Sequence, residues 1–205
     1  MKKIKLIQKT FAIVDDEDYD KLIVYNWQLQ KRSNTNSYAI RTRRYGGHKH
    51  TIHMHAVVLN APQGQIIDHI NGNGLDNRKC NLRFATSQTN AFNKCKPNMP
   101  CTSKYKGVLR RHGKGKWIAR IKYNDRHLEL GKYDTEEKAA SVYNFASRIM
   151  FGVYRRENVS PKLKELSREE QLIVYKKCKR YIEKYGWYID TEVYHSFFMI
   201  DKERE

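Results

Sequence analysis

The stretch Asp68–Asn93, D-H-I-N-G-N-G-L-D-N-R-K-C-N-L-R-F-A-T-S-Q-T-N-A-F-N, decides most of what we expect from this chain. It opens on an adjacent carboxylate and imidazole, Asp68 and His69, and continues into a loop rich in Asn and Gly. Asn81 follows His69 by 12 residues, and Asn90 follows Asn81 by 9 residues. A short loop, a strand and a helix can bridge these intervals.

Local patterns predict how the stretch folds. Gln65–His69 and Leu82–Ala85 are typical of short strands, and Thr86–Lys94 is typical of a short helix capped by Thr86 or Ser87. This order of strand, loop, strand and helix returns an Asp, a His and an Asn to one place. Such a group can hold a hard cation beside a proton acceptor, which suits phosphodiester hydrolysis. The alternative is an ordinary Asn- and Gly-rich turn next to a chance Asp-His pair.

The stretch resembles the ββα-metal site of HNH nucleases, in particular the phage homing endonucleases. The central D-N-R-x-x-N-L-R, from Asp76 to Arg83, is typical of that branch. The resemblance implies that His69 is the general base and that Asp68 and Asn90 ligate one divalent ion. Oxygen ligands favour Mg²⁺ or Mn²⁺ over Zn²⁺.

Supporting roles follow for residues around that group. Asn81 is expected to pin the loop that aims His69, because a side-chain amide can bridge two backbone groups. Asn93 lies one helical turn after Asn90, so we expect it behind the ligands. Arg78 and Arg83 either hold phosphate or form a structural pair with Asp76.

Net charge points to a polyanionic partner. The chain has 205 residues and a net charge of +18, with a pI near 9.7. Residues 1–102 carry 16 basic and 7 acidic side chains, 103–158 carry 14 and 6, and 159–205 carry 10 and 9. The predicted DNA-binding surface therefore belongs to the first two regions and not to the last.

The four cysteines, Cys80, Cys95, Cys101 and Cys178, form no C-x-x-C pair, so no zinc knuckle is indicated. Scattered cysteines fit a reducing compartment. No apolar run approaches the ~20 residues of a membrane span, and the N-terminus lacks the pattern of a signal peptide. We therefore expect an intracellular protein, cytoplasmic in the host cell of a phage or bacterium, with no membrane partner.

The sequence pattern of the first 60 residues predicts a β-rich extension. Strands are predicted for Lys3–Val14, Trp27–Lys31 and Ser37–Tyr45, and a helix is predicted after the acidic cluster Asp15–Asp18. Arg41 and Arg43 share a strand face, so they are candidate phosphate contacts. The alternative for this basic hairpin is a solvated surface.

Two histidines stand just before the central stretch. His53 and His55 are two residues apart in Thr51–Asn60, and on a strand both would face one side, as a metal site requires. In the homing endonucleases a similar stretch packs a helix against the core. We favour that structural role for His55, behind the site, and leave His53 unassigned.

A second domain is predicted after the polar linker. Tyr105–Arg111, Lys116–Tyr123 and Arg126–Tyr133 read as three strands, and a helix begins near Thr135 with Asp134 and Glu137 as its capping pair. The helix is expected to end at Gly152 and to cover the apolar face of the sheet.

This unit, Ser103–Asn158, resembles the plant ethylene-response-factor (Apetala-two) DNA-binding domain. The matching segments are Tyr105–Val108, Trp117–Ile121, Leu130–Thr135, Glu136–Ala140, Tyr143 and Phe151-Gly152. The resemblance implies that the sheet lies in a DNA major groove, with contacts from Lys106, Arg111, Arg120, Lys122 and His127. Leu109 and Glu129 stand where that family has Arg and Trp, so the plant target sequence is not expected.

The last region carries a predicted helix at Arg168–Tyr185, with Ser167 and Glu170 as its capping pair and Gly186 at its end. Its expected apolar face is Leu172, Tyr175, Cys178, Ile182 and Tyr185. Trp187–Ile200 reads as a second helix or a strand. The near-neutral charge favours packing on the rest of the protein or on another subunit.

Together these expectations describe an α+β protein. A β-rich extension and a ββα-metal (HNH) nuclease module occupy residues 1–96, followed by a linker at 97–102. A three-stranded antiparallel sheet with a helix occupies 103–158, and a helical tail occupies 159–205. The expected function is a sequence-directed, divalent-metal-dependent endonuclease that nicks one strand of double-stranded DNA as a monomer. A DNA-binding regulator with an inactive nuclease module, and a nuclease acting on nucleic-acid structure or RNA, are the alternatives.

Overall fold

A computed structural model describes residues 1–32, 37–94, 102–110, 115–123 and 125–185. The fold is mixed α+β, built from small antiparallel sheets and short helices. The chain divides into two compact units between Asn93 and Lys94. The predicted linker lies mostly outside the described residues, as do the strand or helix expected at Trp187–Ile200 and the helix end at Gly186.

The N-terminal unit alternates strand pairs with short helices. Its first half contains β1 (Lys2–Lys5), β2 (Phe11–Val14), α1 (Asp16–Ile23), β3 (Gln28–Lys31) and β4 (Ser37–Tyr45). Its second half contains β5 (His48–His53), α2 (Met54–Val58), β6 (Ile66–His69), β7 (Leu82–Ala85) and α3 (Ser87–Asn93). The antiparallel pairings are β1-β2, β3-β4-β5 and β6-β7.

An apolar core joins these elements. Trp27 is buried in it, and its indole N–H donates to the carbonyl of Leu22 at 2.8 Å. This bond satisfies the one polar atom that burial of a Trp side chain brings inside. The other core residues are Ile4, Leu6, Ala12, Val14, Leu22, Ala39, Met54, Val58 and Leu82.

The loop between β6 and β7 is tied to the first sheet. Ile13 accepts a hydrogen bond from Asn77 N at 2.8 Å and donates one to Leu75 O at 2.8 Å. Farther along the loop, the backbone N–H of Lys79 donates to Asp15 Oδ2 at 2.7 Å, just before α1. The N-terminal extension therefore serves as the frame on which this loop is held.

The region around His53 differs from a continuous strand. β5 ends at His53, and α2 begins at Met54, so His53 and His55 lie on different elements. Met54 and Val58 point into the core, since both are buried. Helical spacing of these two apolar side chains accounts for the switch from strand to helix.

The C-terminal unit contains a three-stranded antiparallel sheet in the order β10-β9-β8. Its elements are β8 (Val108–Leu109), β9 (Trp117–Tyr123), β10 (Arg126–Tyr133), α4 (Glu136–Phe151) and α5 (Arg168–Tyr185). The first strand is two residues long, shorter than predicted, because the chain turns at Gly107 with φ +72°. Residues 111–114, between β8 and β9, lie outside the described part of the chain.

Helix α4 packs on β9 and β10. Its cap is Thr135, whose hydroxyl accepts from Lys138 N at 3.2 Å, so the prediction of Asp134 as the cap was wrong by one residue. The helix ends at Gly152, as predicted, with φ +50°. The sheet and α4 approach closely at Gly107, where an added Cβ would lie 1.9 Å from the ring of Tyr143.

Helix α5 packs against α4. Its capping pair is confirmed, because Glu170 N donates to Ser167 Oγ and Ser167 N donates to Glu170 Oε2. The buried side chains are Val174, Tyr175, Cys178 and Ile182. Leu172 is 39% exposed and Tyr185 36% exposed, so the predicted apolar face was displaced: Val174 belongs to it and Leu172 does not.

Candidate functional site

Asp68 and His69 are the last two residues of β6, paired with Arg83 and Leu82 of β7. Both side chains are buried, each with 5% of its residue surface exposed. A carboxylate and an imidazole are rarely buried without partners, because desolvation penalises their charged forms. The surrounding hydrogen bonds therefore define this site.

The Asp68 carboxylate is held from two sides. Arg83 donates to its Oδ2 from Nε at 2.8 Å and from a terminal nitrogen at 2.5 Å. Asn93 donates its amide Nδ2 to Oδ1 at 3.0 Å and to Oδ2 at 3.1 Å. Oδ2 thus receives three of these donor contacts and Oδ1 receives one, which leaves Oδ1 with more acceptor capacity for another ligand.

Asn93 also holds the backbone next to the carboxylate. Its Nδ2 donates to the carbonyl of His69 at 2.8 Å and lies 3.3 Å from the carbonyl of Ile70. The end of β6 is therefore fastened to α3 through a single side chain. Helix α3 is itself started by Thr86, whose hydroxyl accepts from Thr89 N at 3.1 Å.

Asn90 lies one turn before Asn93 in the same helix. Its side chain is partly exposed and makes no hydrogen bond with any residue that the structure describes. Residues three apart on a helix share a face, so Asn90 lies on the side of α3 that Asn93 turns toward Asp68. No described residue donates a hydrogen bond to its amide oxygen.

Asn81 bridges the two ends of the loop. Its Oδ1 accepts from Asn71 N at 2.9 Å, and its Nδ2 donates to the carbonyl of Asp76 at 2.8 Å. Both amide atoms are thus used on backbone groups within the loop that follows His69. This is the geometry expected of a side chain that pins a loop.

Asp76 pairs with Arg78 and not with Arg83. Arg78 donates to both Asp76 oxygens, at 2.8 and 2.7 Å, and Asn71 Nδ2 donates to Oδ2 at 2.9 Å. The Arg78 hydrogen bonds lower the pKa of Asp76 and outweigh its burial, so this carboxylate stays charged. Of the two predicted alternatives for Arg78, the structure contains the pair with Asp76.

His69 contacts one amide and two rings. Its Nε2 lies 3.4 Å from Oδ1 of Asn77, a residue with 0% exposure. The ring centroids of His55 and Tyr38 lie 5.1 and 5.8 Å away. Burial lowers the pKa of His69, although the Asn77 hydrogen bond and the Asp68 charge act in the opposite direction. The imidazole is therefore neutral at physiological pH, as a proton acceptor must be.

His53 and His55 stack on each other, with ring centroids 4.9 Å apart, and Tyr38 contacts both edge-on. Burial lowers the pKa of His55 to about 3, with smaller contributions from His69 and His53. Among the described residues, no group of three His, Cys, Asp or Glu side chains is placed to hold a metal ion. The neutral rings of these two histidines pack beside His69.

The basic hairpin of β4 and β5 divides into two parts. The guanidinium of Arg41 lies 3.7 Å from the ring centroid of Tyr25, a cation–π arrangement that keeps it against the unit. Arg43 and Arg44 are exposed toward the hairpin tip and pair across the strands with His50 and Lys49. Arg43 is therefore more accessible to a phosphate than Arg41.

In the C-terminal unit, Arg120, Lys122 and His127 are exposed on neighbouring strands. His127 lies directly opposite Lys122, and Glu129 lies opposite Arg120. Lys122 forms an exposed ion pair with Asp125 at 2.8 Å. Lys106 donates its ammonium to the carbonyl of Lys94 at 2.8 Å, and Arg111 lies outside the described residues.

Comparison with known proteins resolves the family. The family model of the HNH endonucleases matches residues 52–92, a range that includes Asp68, His69 and Asn90 and stops one residue before Asn93. An uncharacterized HNH endonuclease of Acanthamoeba polyphaga mimivirus is 30% identical over 149 residues, 73% of this chain and 75% of that protein. The chain belongs to the HNH endonuclease family.

Two Arabidopsis thaliana proteins are similar to the C-terminal part of this HNH endonuclease. An ethylene-responsive transcription factor is 47% identical over 47 residues, and an AP2-like ethylene-responsive transcription factor is 45% identical over 47 residues. Each match covers 22% of this chain, and the chain spans 11% and 14% of the length of those two proteins. The resemblance to the HNH nucleases and the resemblance of the C-terminal part to the ethylene-response-factor domain are thereby confirmed.

The HNH endonuclease is a hydrolase that cleaves DNA, and the match to transcription factors supports DNA binding. No helix within the described ranges is long and apolar enough to cross a membrane. Sequence reasoning missed three contacts of the site: Asn77 on His69, Tyr38 among the histidines, and Arg83 on Asp68. Only the last had a sequence signal, since both residues lie on predicted strands and Arg83 comes to lie opposite Asp68 when β6 and β7 pair.

Proposed function

We propose that this HNH endonuclease hydrolyses one phosphodiester bond of double-stranded DNA at a site chosen by its C-terminal sheet, with His69 as the general base. The observation that supports the proposal best is the arrangement around β6. A buried neutral imidazole adjoins a carboxylate fixed by Arg83 and Asn93, and the uncommitted amide of Asn90 lies on the helix that carries Asn93. No comparable group of acid, base and amide is needed for a DNA-binding role alone.

His69 is proposed to accept the proton of the attacking water. A base works best when it is neutral at the operating pH and held in one direction, and burial and the ring contacts of His69 meet both conditions. Asn81 holds the following loop by its two backbone bonds, so that it acts as a positioning residue.

Asp68 and Asn90 are proposed to hold one Mg²⁺ or Mn²⁺. HNH nucleases generally use a divalent ion. The donor set fits such an ion, because Asp68 Oδ1 has spare acceptor capacity, the Asn90 amide oxygen has no partner among the described residues, and both are oxygen ligands. A magnesium ion held by one carboxylate takes its remaining ligands from water and substrate phosphate. When bound, the ion supplies charge stabilisation to the scissile phosphate and the leaving oxygen.

Asn93 and Arg83 are proposed to orient the Asp68 carboxylate rather than to contact DNA. Three of their donor atoms lie within 3.1 Å of its oxygens. Partners of this kind fix the direction of a metal-binding carboxylate and tune its basicity. Arg78, committed to Asp76, is proposed to stabilise the loop in the same indirect way.

Sequence selection is proposed for the sheet of the C-terminal unit. Arg120, Lys122 and His127 present a basic face opposite the side covered by α4, and Arg and Lys are the side chains that read guanine edges and phosphates. Lys106 and Arg111 extend this proposed surface. Arg41 and Arg43 of the N-terminal unit are proposed to follow the backbone of the flanking DNA.

The main product is proposed to be a nick. One ββα site addresses one phosphate, and two different DNA-contacting regions in series fit a monomer stretched along an asymmetric target. A symmetric dimer would instead favour a palindromic target. This nicking of a specific sequence is the activity expected of the homing type.

The proposal is tested with a duplex library labelled on each strand separately, incubated with protein and either Mg²⁺, Mn²⁺ or EDTA. Metal-dependent cleavage of one strand at one sequence is the expected result. Cleavage in EDTA, cleavage of both strands at equal rates, or cleavage without sequence preference would each contradict a named part of the proposal. Asp68→Ala and Asn90→Ala should lose both cleavage and metal binding, measured by calorimetry on a DNA complex.

A further inference from the structure

Asn77 is the only described residue that makes a hydrogen bond to the His69 ring. It comes from the loop after β6, and its side chain is among the most completely buried polar groups of the molecule, with 0% exposure. Burying an amide is costly unless its atoms are paired. Its Nδ2 has no partner among the described residues, so the contact with His69 is the one bond its side chain makes there.

The loop itself does not require an asparagine side chain at this position. The backbone N–H of Asn77 donates to Ile13 O, a bond that every residue except proline can make. The residue has no positive φ, the conformation for which Asn is often selected in turns. A purely structural role therefore leaves the buried amide unexplained.

The contact determines which ring nitrogen of His69 can act as a base. Because Asn77 is fully buried, the Nε2 that faces it points into the protein. The nitrogen left for water and DNA is Nδ1, which makes no hydrogen bond with the described residues. A neutral imidazole can accept a proton at Nδ1 only if its own hydrogen is on Nε2.

We propose that Asn77 is a positioning residue for His69: its Oδ1 accepts the Nε2 hydrogen and fixes the tautomer whose Nδ1 is free to take a proton from water. The inference rests on the proposed role of His69 as general base. A side-chain oxygen only accepts, so with Oδ1 facing the ring the bond forms only when the hydrogen is on Nε2. The ring contacts of Tyr38 and His55 hold the plane of the imidazole but do not select a tautomer.

The Nε2 to Oδ1 distance of 3.4 Å is longer than the usual 2.7–3.2 Å of such bonds. Catalytic hydrogen bonds are commonly long in the free enzyme and tighten when substrate binds. A carboxylate plays the same part in other enzymes, where it holds a histidine in its working tautomer. An amide oxygen does so here without adding a charge.

The direct test is the tautomer of His69 in the full-length wild-type protein. Long-range proton–nitrogen correlation spectra of ¹⁵N-histidine-labelled protein near pH 7.5 distinguish the protonated from the bare ring nitrogen, and His69→Gln assigns the signals. The expected result is one tautomer with hydrogen on Nε2. Hydrogen on Nδ1 would overturn the proposal. Because the spectra are recorded on the wild-type protein, the test does not depend on whether a variant of Asn77 folds.

The variant test compares Asn77→Ala with Asn73→Ala. Asn73 is an exposed asparagine of the same loop whose hydrogen bonds with the described residues go to Asn71 and Leu75 of the turn, so it is a matched control. Asn77→Ala should populate both tautomers and slow single-turnover cleavage about 10–100-fold, while Asn73→Ala should leave both readings near wild type. Asn77→Asp should restore one tautomer and most of the rate, because a carboxylate oxygen also accepts.

The outcomes separate this inference from the proposed function. If His69→Ala cleaves at the wild-type rate, the proposed role of His69 fails, whatever the tautomer. If His69→Ala is inactive but Asn77→Ala keeps the Nε2–H tautomer and the wild-type rate, the role of Asn77 alone is wrong. A change in thermal stability without a change in tautomer or rate would also contradict it, because that is the result of a structural role.

Discussion

The amide nitrogen of Asn93 lies 3.0 and 3.1 Å from the two carboxylate oxygens of Asp68 and 2.8 Å from the carbonyl of His69. One side chain of α3 therefore holds both the proposed metal ligand and the backbone of the proposed base. These hydrogen bonds link α3 to the end of β6 at the point where the chemistry is expected.

Asn93→Ala should weaken divalent-ion binding and slow cleavage about 10–100-fold, because the carboxylate loses the donor that orients it. Calorimetry with Mn²⁺ on a DNA complex and single-turnover rates measure the two effects. Ala91→Ser, at an exposed position of the same helix, is the control and should change neither. Full metal affinity in Asn93→Ala would show that Arg83 alone suffices to orient Asp68.

Gly74→Ala should damage the site through Tyr38. An added Cβ would lie 2.4 Å from Ser37 O and 2.6 Å from the Tyr38 ring, which contacts His53, His55 and His69. Overpacking of this kind costs about 1–3 kcal/mol in the free energy of unfolding. We expect that loss in urea titrations, together with slower cleavage.

The control for this change is Gly64→Ala. An added Cβ there meets no atom within 4 Å, although its φ of +86° makes the substitution strained by about 1–2 kcal/mol. It should therefore cost stability without slowing single-turnover cleavage. Equal rates in the two variants would show that the packing of Tyr38 on the histidines does not matter to the site.

The free energy of unfolding should fall in acid because His55 is buried in its neutral form. The pKa of His55 is about 3 in the folded state and near 6.5 when exposed, so the unfolded state binds the additional proton between these values. The stability that the folded state gains by holding His55 neutral is fully present above pH 6.5 and is lost as the pH falls toward 3. At pH 5 the loss from this residue is about 2 kcal/mol.

Urea unfolding of the wild type and of His55→Gln at pH 8 and pH 5 measures this contribution. The acid-induced loss should be smaller by about 2 kcal/mol in the variant. His53 and His69, whose pKa values are also lowered by burial, account for loss that remains. An identical pH dependence in both proteins would contradict the burial of a neutral His55.

Arg120→Ala combined with Lys122→Ala should weaken binding to the specific sequence and flatten its dependence on salt. Each lost phosphate contact reduces the slope of log K against log salt by about 0.9, and a lost base contact costs about 1–3 kcal/mol. Lys162→Ala combined with Lys164→Ala removes the same charge from exposed positions outside the sheet. Footprinting should show that only the first pair alters site selection.

The strands and helices followed closely from local pattern. Leu82–Ala85, Ser37–Tyr45, Arg126–Tyr133 and Arg168–Tyr185 have the predicted bounds, because each shows a clear period and a turn or cap at its ends. The errors lie where tertiary packing outweighs pattern. On the face of α5, Val174 is buried where Leu172 was expected.

Individual polar contacts were less predictable than elements. The pairs of Asp76 with Arg78 and of Ser167 with Glu170 are local, and the sequence named both as alternatives or caps. Tyr38 and Asn77 meet His69 from separate parts of the chain, through a sheet and a loop whose relative placement no local pattern encodes. Neither could be identified without the folded structure.

The central claim is that His69 is the general base, and one comparison tests it most directly. Single-turnover cleavage of a labelled duplex is measured with saturating protein and Mg²⁺ for the wild type, His69→Ala and Cys80→Ala. Cys80 is an exposed residue of the same loop, so its substitution controls for disturbance of the loop.

His69→Ala should lose about 10²–10⁴ in rate, the usual contribution of a positioned proton acceptor, while its affinity for DNA stays near wild type. Cys80→Ala should cleave at the wild-type rate. The claim would be contradicted by a His69→Ala protein that binds DNA normally and keeps more than about a tenth of the wild-type rate. Such a loss is smaller than the loss expected when a general base is missing.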